Sequence, residues 1–136
     1  DYVFSWDRML ALSGNTAPYL QYAYTRIRSI FRKSEVQSPK SKAAEVTLAA
    51  PEELALAKQL LNFGLVLEAM AEEYRPNYLC NYLYELAGGF TRFYETCPVL
   101  KAEEPQRSSR LALCELTARV MHQGLDVLGI ETPEQM

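Results

Sequence analysis

Apolar residues recur along this chain at steps of three and four rather than two, and the recurrent stretches are separated by Gly, Pro or polar clusters. That period predicts helices. Residues 5 to 12 read as a short helix opened by Ser5 and closed by Gly14. Asn15 or Thr16 can cap a second helix, whose first turn tolerates Pro18 and which runs to about Lys33. At about 100° per residue, Leu20, Ala23, Tyr24, Ile27 and Phe31 fall on one stripe, the expected core face, while Tyr19, Tyr22, Arg26 and Lys33 share a neighbouring shoulder. A third helix is expected from Pro51 through Glu73, with Glu52 and Glu53 in its first turn and Gly64 marking a close approach by another helix. Pro76 opens a fourth, in which Leu79, Leu83, Leu86, Phe90 and Phe93 form a buried stripe and which Pro98 closes. The fifth runs from about Gln106 to Leu128 and stops at Gly129.

Residues 34 to 50, "SEVQSPKSKAAEVTLAA", lose this period and read as a surface loop. No alternating segment with hairpin turns competes. The fold class expected is all-α: a helical bundle of about five helices forming a single domain over residues 1–136. A chain of 136 residues with 49% hydrophobic content has room for one such core and not for two. Its unbroken apolar runs are only a few residues long, short of the ~20 that span a bilayer, so no membrane partner is expected. The opening Asp1 in place of Met suggests a piece of a longer protein.

The net charge of −3 speaks against a polyanionic partner until it is divided along the chain. Residues 1 to 42 hold seven Lys or Arg against three acidic residues, a local +4, and the remainder holds seven against fourteen, a local −7. A confined basic face can hold a polyanion whatever the average. Cys80, Cys97 and Cys114 are odd in number and widely spaced, and His122 is the single histidine, so the pattern predicts unpaired thiols of a reducing compartment and no metal set. No Gly-rich phosphate loop and no Ser/His/Asp arrangement is present, and no catalytic residue is assigned. Glu52, Glu53, Glu68, Glu72 and Glu73 read as a solvated face at the ends of their helix. The tyrosines of the fourth helix, taken singly, read as packing.

What stands out is "SGNTAPYLQYAYTR", which places Tyr19, Tyr22 and Arg26 on one helical shoulder beside the core stripe. Aromatic faces stack on unpaired nucleobases, contributing about 1–3 kcal/mol per base, and an arginine can stack as well as donate to base edges or phosphate. Tyrosine also tolerates water when the site is empty. On residues alone three readings stay open: a single-stranded nucleic-acid site, a protein-interaction patch, or plain packing.

The stretch "FSWDRMLALSGNTAPYLQYAYTRIRSIFRK" closely resembles the segment that leaves the catalytic domain of class I arginyl-tRNA synthetases and begins their C-terminal, DALR-type anticodon-binding domain. "RPNYLCNYLYELAGGFTRFYETCPVL" resembles the family's central helix, and "SRLALCELTARVMHQGLDVLGIETPEQM" its last helix and Met-terminated tail. The resemblance implies that residues 1–12 are a connecting helix from a catalytic domain absent from this chain. It implies a pocket for the middle anticodon base, a cytosine, with roles falling on Tyr19, Tyr22, Arg26 and Met136, and a further aromatic, Tyr94, near the splayed anticodon loop. Pro98 stands where some relatives carry an aromatic, and Gln135 where an arginine is common. The implied partners are arginine tRNA and the absent catalytic domain. The parent enzyme is expected to be cytoplasmic and to use ATP and Mg, with no cofactor in this piece and no activity from it alone. A helical protein-interaction module is the alternative.

Overall fold

The computed structural model describes residues 3–34 and 45–136. Most of the expected loop, together with Lys40 and Lys42, lies outside the described residues. Among the described residues six helices follow in order: α1 Trp6–Met9, α2 Ala17–Ser34, α3 Pro51–Leu61, α4 Phe63–Glu73, α5 Asn77–Thr96 and α6 Gln106–Val127. No strand occurs among the described residues. The centre of the bundle is α5, which packs against α2, α3, α4 and α6. Its expected stripe of Leu79, Leu83, Leu86, Phe90 and Phe93 is buried throughout, joined by Tyr82, Ala87 and Gly89.

Helix ends follow local chemistry. Ser5 accepts from the Arg8 amide at the start of α1. Thr16 rather than Asn15 caps α2: its Oγ1 accepts from the Tyr19 amide at 3.2 Å and donates to the Ala11 carbonyl at 2.6 Å. Asn15 instead donates across to Asn81 on α5 at 3.0 Å. At the other end of the molecule, Gly129 has φ 73°, and the amides of Gly129 and Ile130 donate back to the carbonyls of Asp126 and Leu125, each at 2.9 Å. That pairing satisfies the last carbonyls of α6 and reverses the chain. The tail therefore leaves α6 heading back over the bundle.

Four expectations need correction. The third helix is not continuous: Asn62, with φ −77° and ψ −7°, separates α3 from α4. Gly64 faces open space, and the close approaches fall at Gly89, against the Gln59 side chain, and Gly124, against Leu83. Glu53 is not solvated but 1% exposed. Its carboxylate accepts from the amides of Ala49 and Ala50 at 2.7 and 2.9 Å and from Arg110 Nε at 2.5 Å, so it caps α3 and ties it to α6. Lastly, Pro51–Glu73 contains an 18-residue window of mean hydropathy 1.3, apolar and long enough by composition to cross a membrane. Short apolar runs concealed this because alanines and leucines are interrupted there by only isolated charges such as Lys58 and Glu68. In the fold this stretch lies against α5 and leaves Leu54, Leu61 and Leu65 outward.

Candidate nucleic-acid interface

The α2 helix is seated by Leu20, Tyr24, Ile27, Ile30 and Phe31, all buried. With those side chains inward, the shoulder turns to the surface. Tyr22 is 44% exposed, Arg26 and Lys33 are exposed, and Tyr19 is half-buried. The Arg26 guanidinium lies over the Tyr22 ring, 5.9 Å from its centroid, so the cation and the aromatic face present a single surface.

Beneath that surface is a hollow of about 70 Å³ between α2 and α5. Tyr19, Tyr22 and Arg26 line it from α2; Ala87, Phe90 and Thr91 line it from α5. The small side chains at Ala87 and Thr91 create the gap, and Phe90 supplies its apolar floor.

Tyr94 stacks on Phe90 with centroids 6.0 Å apart and ring planes 16° from parallel, which puts it one ring away from the hollow. Tyr19 meets Tyr84 at 5.5 Å and 57°. Tyr84, partly exposed on α5, was read from the sequence as ordinary packing. Its signal lay in the spacing: Tyr84, Ala87, Thr91 and Tyr94 recur at three- and four-residue steps beside the buried stripe, marking the α5 face turned toward α2.

Met136 is 64% exposed and is not among the residues lining the hollow. The tail before it is fastened to a different stripe of α2. Gln21 Nε2 donates to the Glu131 carbonyl at 2.7 Å, and Arg32 Nη1 to the Glu134 carbonyl at 2.8 Å. The Glu134 carboxylate meets Arg28 Nε at 3.4 Å and accepts from the Tyr24 hydroxyl at 3.4 Å. Burial, and then the Glu134 carboxylate, push the Tyr24 hydroxyl above its ordinary value, so it stays a donor. Arg28 also pairs with Glu115 on α6 at 3.3 Å. Two of the arginines counted toward the basic N-terminal third are thus engaged by the tail, leaving Arg26 and Lys33 as the exposed cations of the shoulder.

Elsewhere the chemistry is quiet. His122 Nδ1 and Thr132 Oγ1 lie 2.6 Å apart, which holds the tail to α6. The three thiols are free, with Cys97 and Cys114 buried. Among the described residues no group of three or more His, Cys, Asp and Glu side chains comes together as a metal set.

The described residues thus form an all-helical bundle carrying an exposed aromatic and cationic shoulder beside a small interhelical hollow. Comparison with known proteins narrows this: residues 20–136 match the model of the DALR anticodon binding domain, and the chain belongs to that family. It is 55% identical over its whole length to the arginine–tRNA ligases of Mannheimia succiniciproducens and of a Synechocystis strain, and 53% identical to that of Escherichia coli. It spans about a quarter of the length of those relatives, 24%, 23% and 24% respectively. Among solved structures it superposes on Thermus thermophilus arginyl-tRNA synthetase with a TM-score of 0.87 and 38% identity, covering 98% of this chain and 23% of that one. For the Plasmodium falciparum arginyl-tRNA synthetase the values are 0.90 and 34%, covering 100% and 24%.

Proposed function

We propose that this chain is the anticodon-binding domain of an arginine–tRNA ligase. In this reading it receives the middle anticodon cytosine on the Tyr19, Tyr22 and Arg26 surface, so that a catalytic domain of the same protein can charge the tRNA with arginine. The observation that carries the reading is the exposed Tyr22 ring under the Arg26 guanidinium, in a helix already seated by a complete buried stripe. Packing has no need of those two side chains. Tyr22 supplies the stacking face, Tyr19 and its partner Tyr84 extend it, and Arg26 donates to the base or to a flanking phosphate. Tyr94 is a further platform for a neighbouring splayed nucleotide, and Met136 an apolar contact from the tail.

Adenylation of arginine with ATP and Mg belongs to the catalytic domain in this reading, and the sequence lacks that domain's HIGH-type motif. The 136-residue protein is therefore expected to show no ATP–pyrophosphate exchange. Affinity for tRNA should be salt-sensitive and micromolar or weaker, since a few stacked bases must offset the cost of opening the anticodon loop. Tyr22→Ala and Arg26→Ala are each expected to weaken tRNA binding about tenfold while leaving helicity intact. Folded variants that bind as the parent does would remove the pocket from this surface. A second reading, a protein-docking module, is favoured by the outward Leu54, Leu61 and Leu65 of α3 and α4. It predicts a partner whose binding ignores added tRNA.

A further inference from the structure

The α2 shoulder is cationic, and the α4 side of the bundle is its opposite. From Asn62 to Glu85 the sequence holds four glutamates and one arginine, and α4 itself carries Glu68, Glu72 and Glu73 with no Lys or Arg. The same part of the molecule is apolar and uncovered. Of the 18-residue window of mean hydropathy 1.3 within Pro51–Glu73, only 6% is buried. Leu61 is 81% exposed and Leu65, four residues on, is 65% exposed. Single outward leucines are ordinary, but here Leu65 forms the wall of a groove.

That groove lies between α4 and α5 and holds about 400 Å³, a size typical of binding clefts. Leu65, Val66 and Ala69 line it from α4, and Tyr78, Tyr82 and Glu85 from α5; α2 contributes nothing to it. At one end the Tyr78 hydroxyl donates to Glu73 at 2.7 Å. The Arg75 guanidinium lies over the Tyr78 ring, 5.9 Å from its centroid, and pairs with Glu73 at 3.7 Å, so the one cation of this stretch is already engaged. Glu85 stands seven residues along α5 from Tyr78, about 10.5 Å at the helical rise. Neither Glu85 nor Glu72 takes part in an ion pair among the described residues. Where α4 gives way to α5, Tyr74 is 90% exposed at φ 54°, a conformation that glycine adopts with less strain, and the helix end has no need of an aromatic there.

We infer that the groove between α4 and α5 is a docking site for a basic amphipathic helix of another polypeptide. Charge decides among the occupants an apolar groove could take. An acidic rim repels RNA and anionic lipid alike. A helix whose apolar residues recur at steps of three and four lays them along Leu65, Val66 and Ala69, as in other helix-in-groove complexes. Lys or Arg residues seven apart on such a helix are also about 10.5 Å apart, the span on α5 from Tyr78, where Glu73 is held, to Glu85. One basic side chain then meets each end of the groove. The inference goes beyond the base-binding reading and does not rest on it, because the two surfaces share no residue: RNA on α2 and a basic partner on α4 can be held at once.

The test uses the 136-residue protein and two labelled amphipathic peptides of about four helical turns, one of leucine and lysine and one of leucine and glutamate in the same pattern. Binding is read by fluorescence anisotropy at about 0.15 M salt. The lysine peptide is expected to bind at least about tenfold more tightly than the glutamate peptide. Glu85→Lys should weaken it about tenfold and Leu65→Ser about fivefold; both positions are exposed, so both variants should melt close to the parent. Glu103→Lys makes the same change of charge at an exposed position outside the groove and should leave binding unaltered. Peptides that bind alike, groove variants that bind as the parent does, or an equal loss in Glu103→Lys would each overturn the proposal. Binding to phosphatidylserine vesicles, or self-association in sedimentation, that disappears in Leu65→Ser would overturn it as well, giving the groove to a membrane or to a second copy. Tyr22→Ala, which tests the base-binding reading against tRNA, should not change peptide binding, so either idea can fail without the other.

Discussion

Replacing Glu53 by Ala should destabilise the bundle more than any change at the proposed RNA surface. The side chain is 1% exposed and carries three hydrogen bonds, from the Ala49 and Ala50 amides and from Arg110. Removing it uncaps α3, which costs about 1 kcal/mol, and strips a part-buried guanidinium of its anion, for which 3–5 kcal/mol is usual. Arg110 keeps the Pro98 carbonyl at 2.7 Å, which argues for the low end. About 4 kcal/mol in total is expected. At roughly 2.1 cal/mol/K of unfolding entropy per residue, that corresponds to a midpoint lowered by about 14 °C. Glu53→Gln keeps an acceptor and the shape but not the charge, and should lose about half as much. The pH dependence follows from opposing causes. Burial alone would raise the Glu53 carboxyl, but the Ala50 amide, Arg110 and the Ala49 amide outweigh it and hold the group below its ordinary 4.5. A depressed value in the folded state contributes stability that is full above 4.5 and is lost as pH falls through the folded value. Thermal unfolding followed by circular dichroism, at neutral pH and stepwise below 4.5, should show a constant gap between parent and Gln variant that closes only in acid. An Ala variant melting within about 2 °C of the parent would refute the reasoning.

Three further outcomes follow from the packing and the charge distribution. Gly124→Ala places a Cβ 2.7 and 3.0 Å from the methyls of fully buried Leu83, and should cost about 1–3 kcal/mol in urea unfolding. Gly89→Ala meets only the mobile end of Gln59 and should cost less; the reverse order would contradict the packing. A thiol reagent at neutral pH should modify half-buried Cys80 first and Cys114 only on unfolding, since burial pushes the Cys114 thiol up to about 12. Lys33→Ala should reduce the slope of log affinity for tRNA against log salt by about one unit, whereas an unchanged slope would take Lys33 out of phosphate contact.

The helices were largely legible because their ends are written in local chemistry. Pro51, Pro76 and Gly129 sit where the structure turns, and the stripes on α2 and α5 follow a simple period. What escaped was tertiary. Nothing local distinguishes Asn62 from its neighbours as a break, and both halves of that stretch carry the same helical pattern. Glu53 looked like a first-turn carboxylate because Arg110, its partner, lies 57 residues away. Gly64 and Gly124 are alike in sequence, and only the neighbouring helix decides which one is a contact. At the site, the spacing of Tyr19, Tyr22 and Arg26 was enough to bring them onto one surface. Tyr84 was missed because its exposure depends on how α5 meets α2. The engagement of Arg28 and Arg32 was missed because it depends on a tail more than a hundred residues further on.

The most direct measurement is a titration of the 136-residue protein with arginine tRNA and with the same tRNA changed only at the middle anticodon base. If an unpaired cytosine rests on Tyr22 beside Arg26, the unaltered tRNA should bind about tenfold more tightly, and Tyr22→Ala should abolish the difference. Equal affinities for the two tRNAs, or a difference that survives in the Tyr22→Ala protein, would contradict the account.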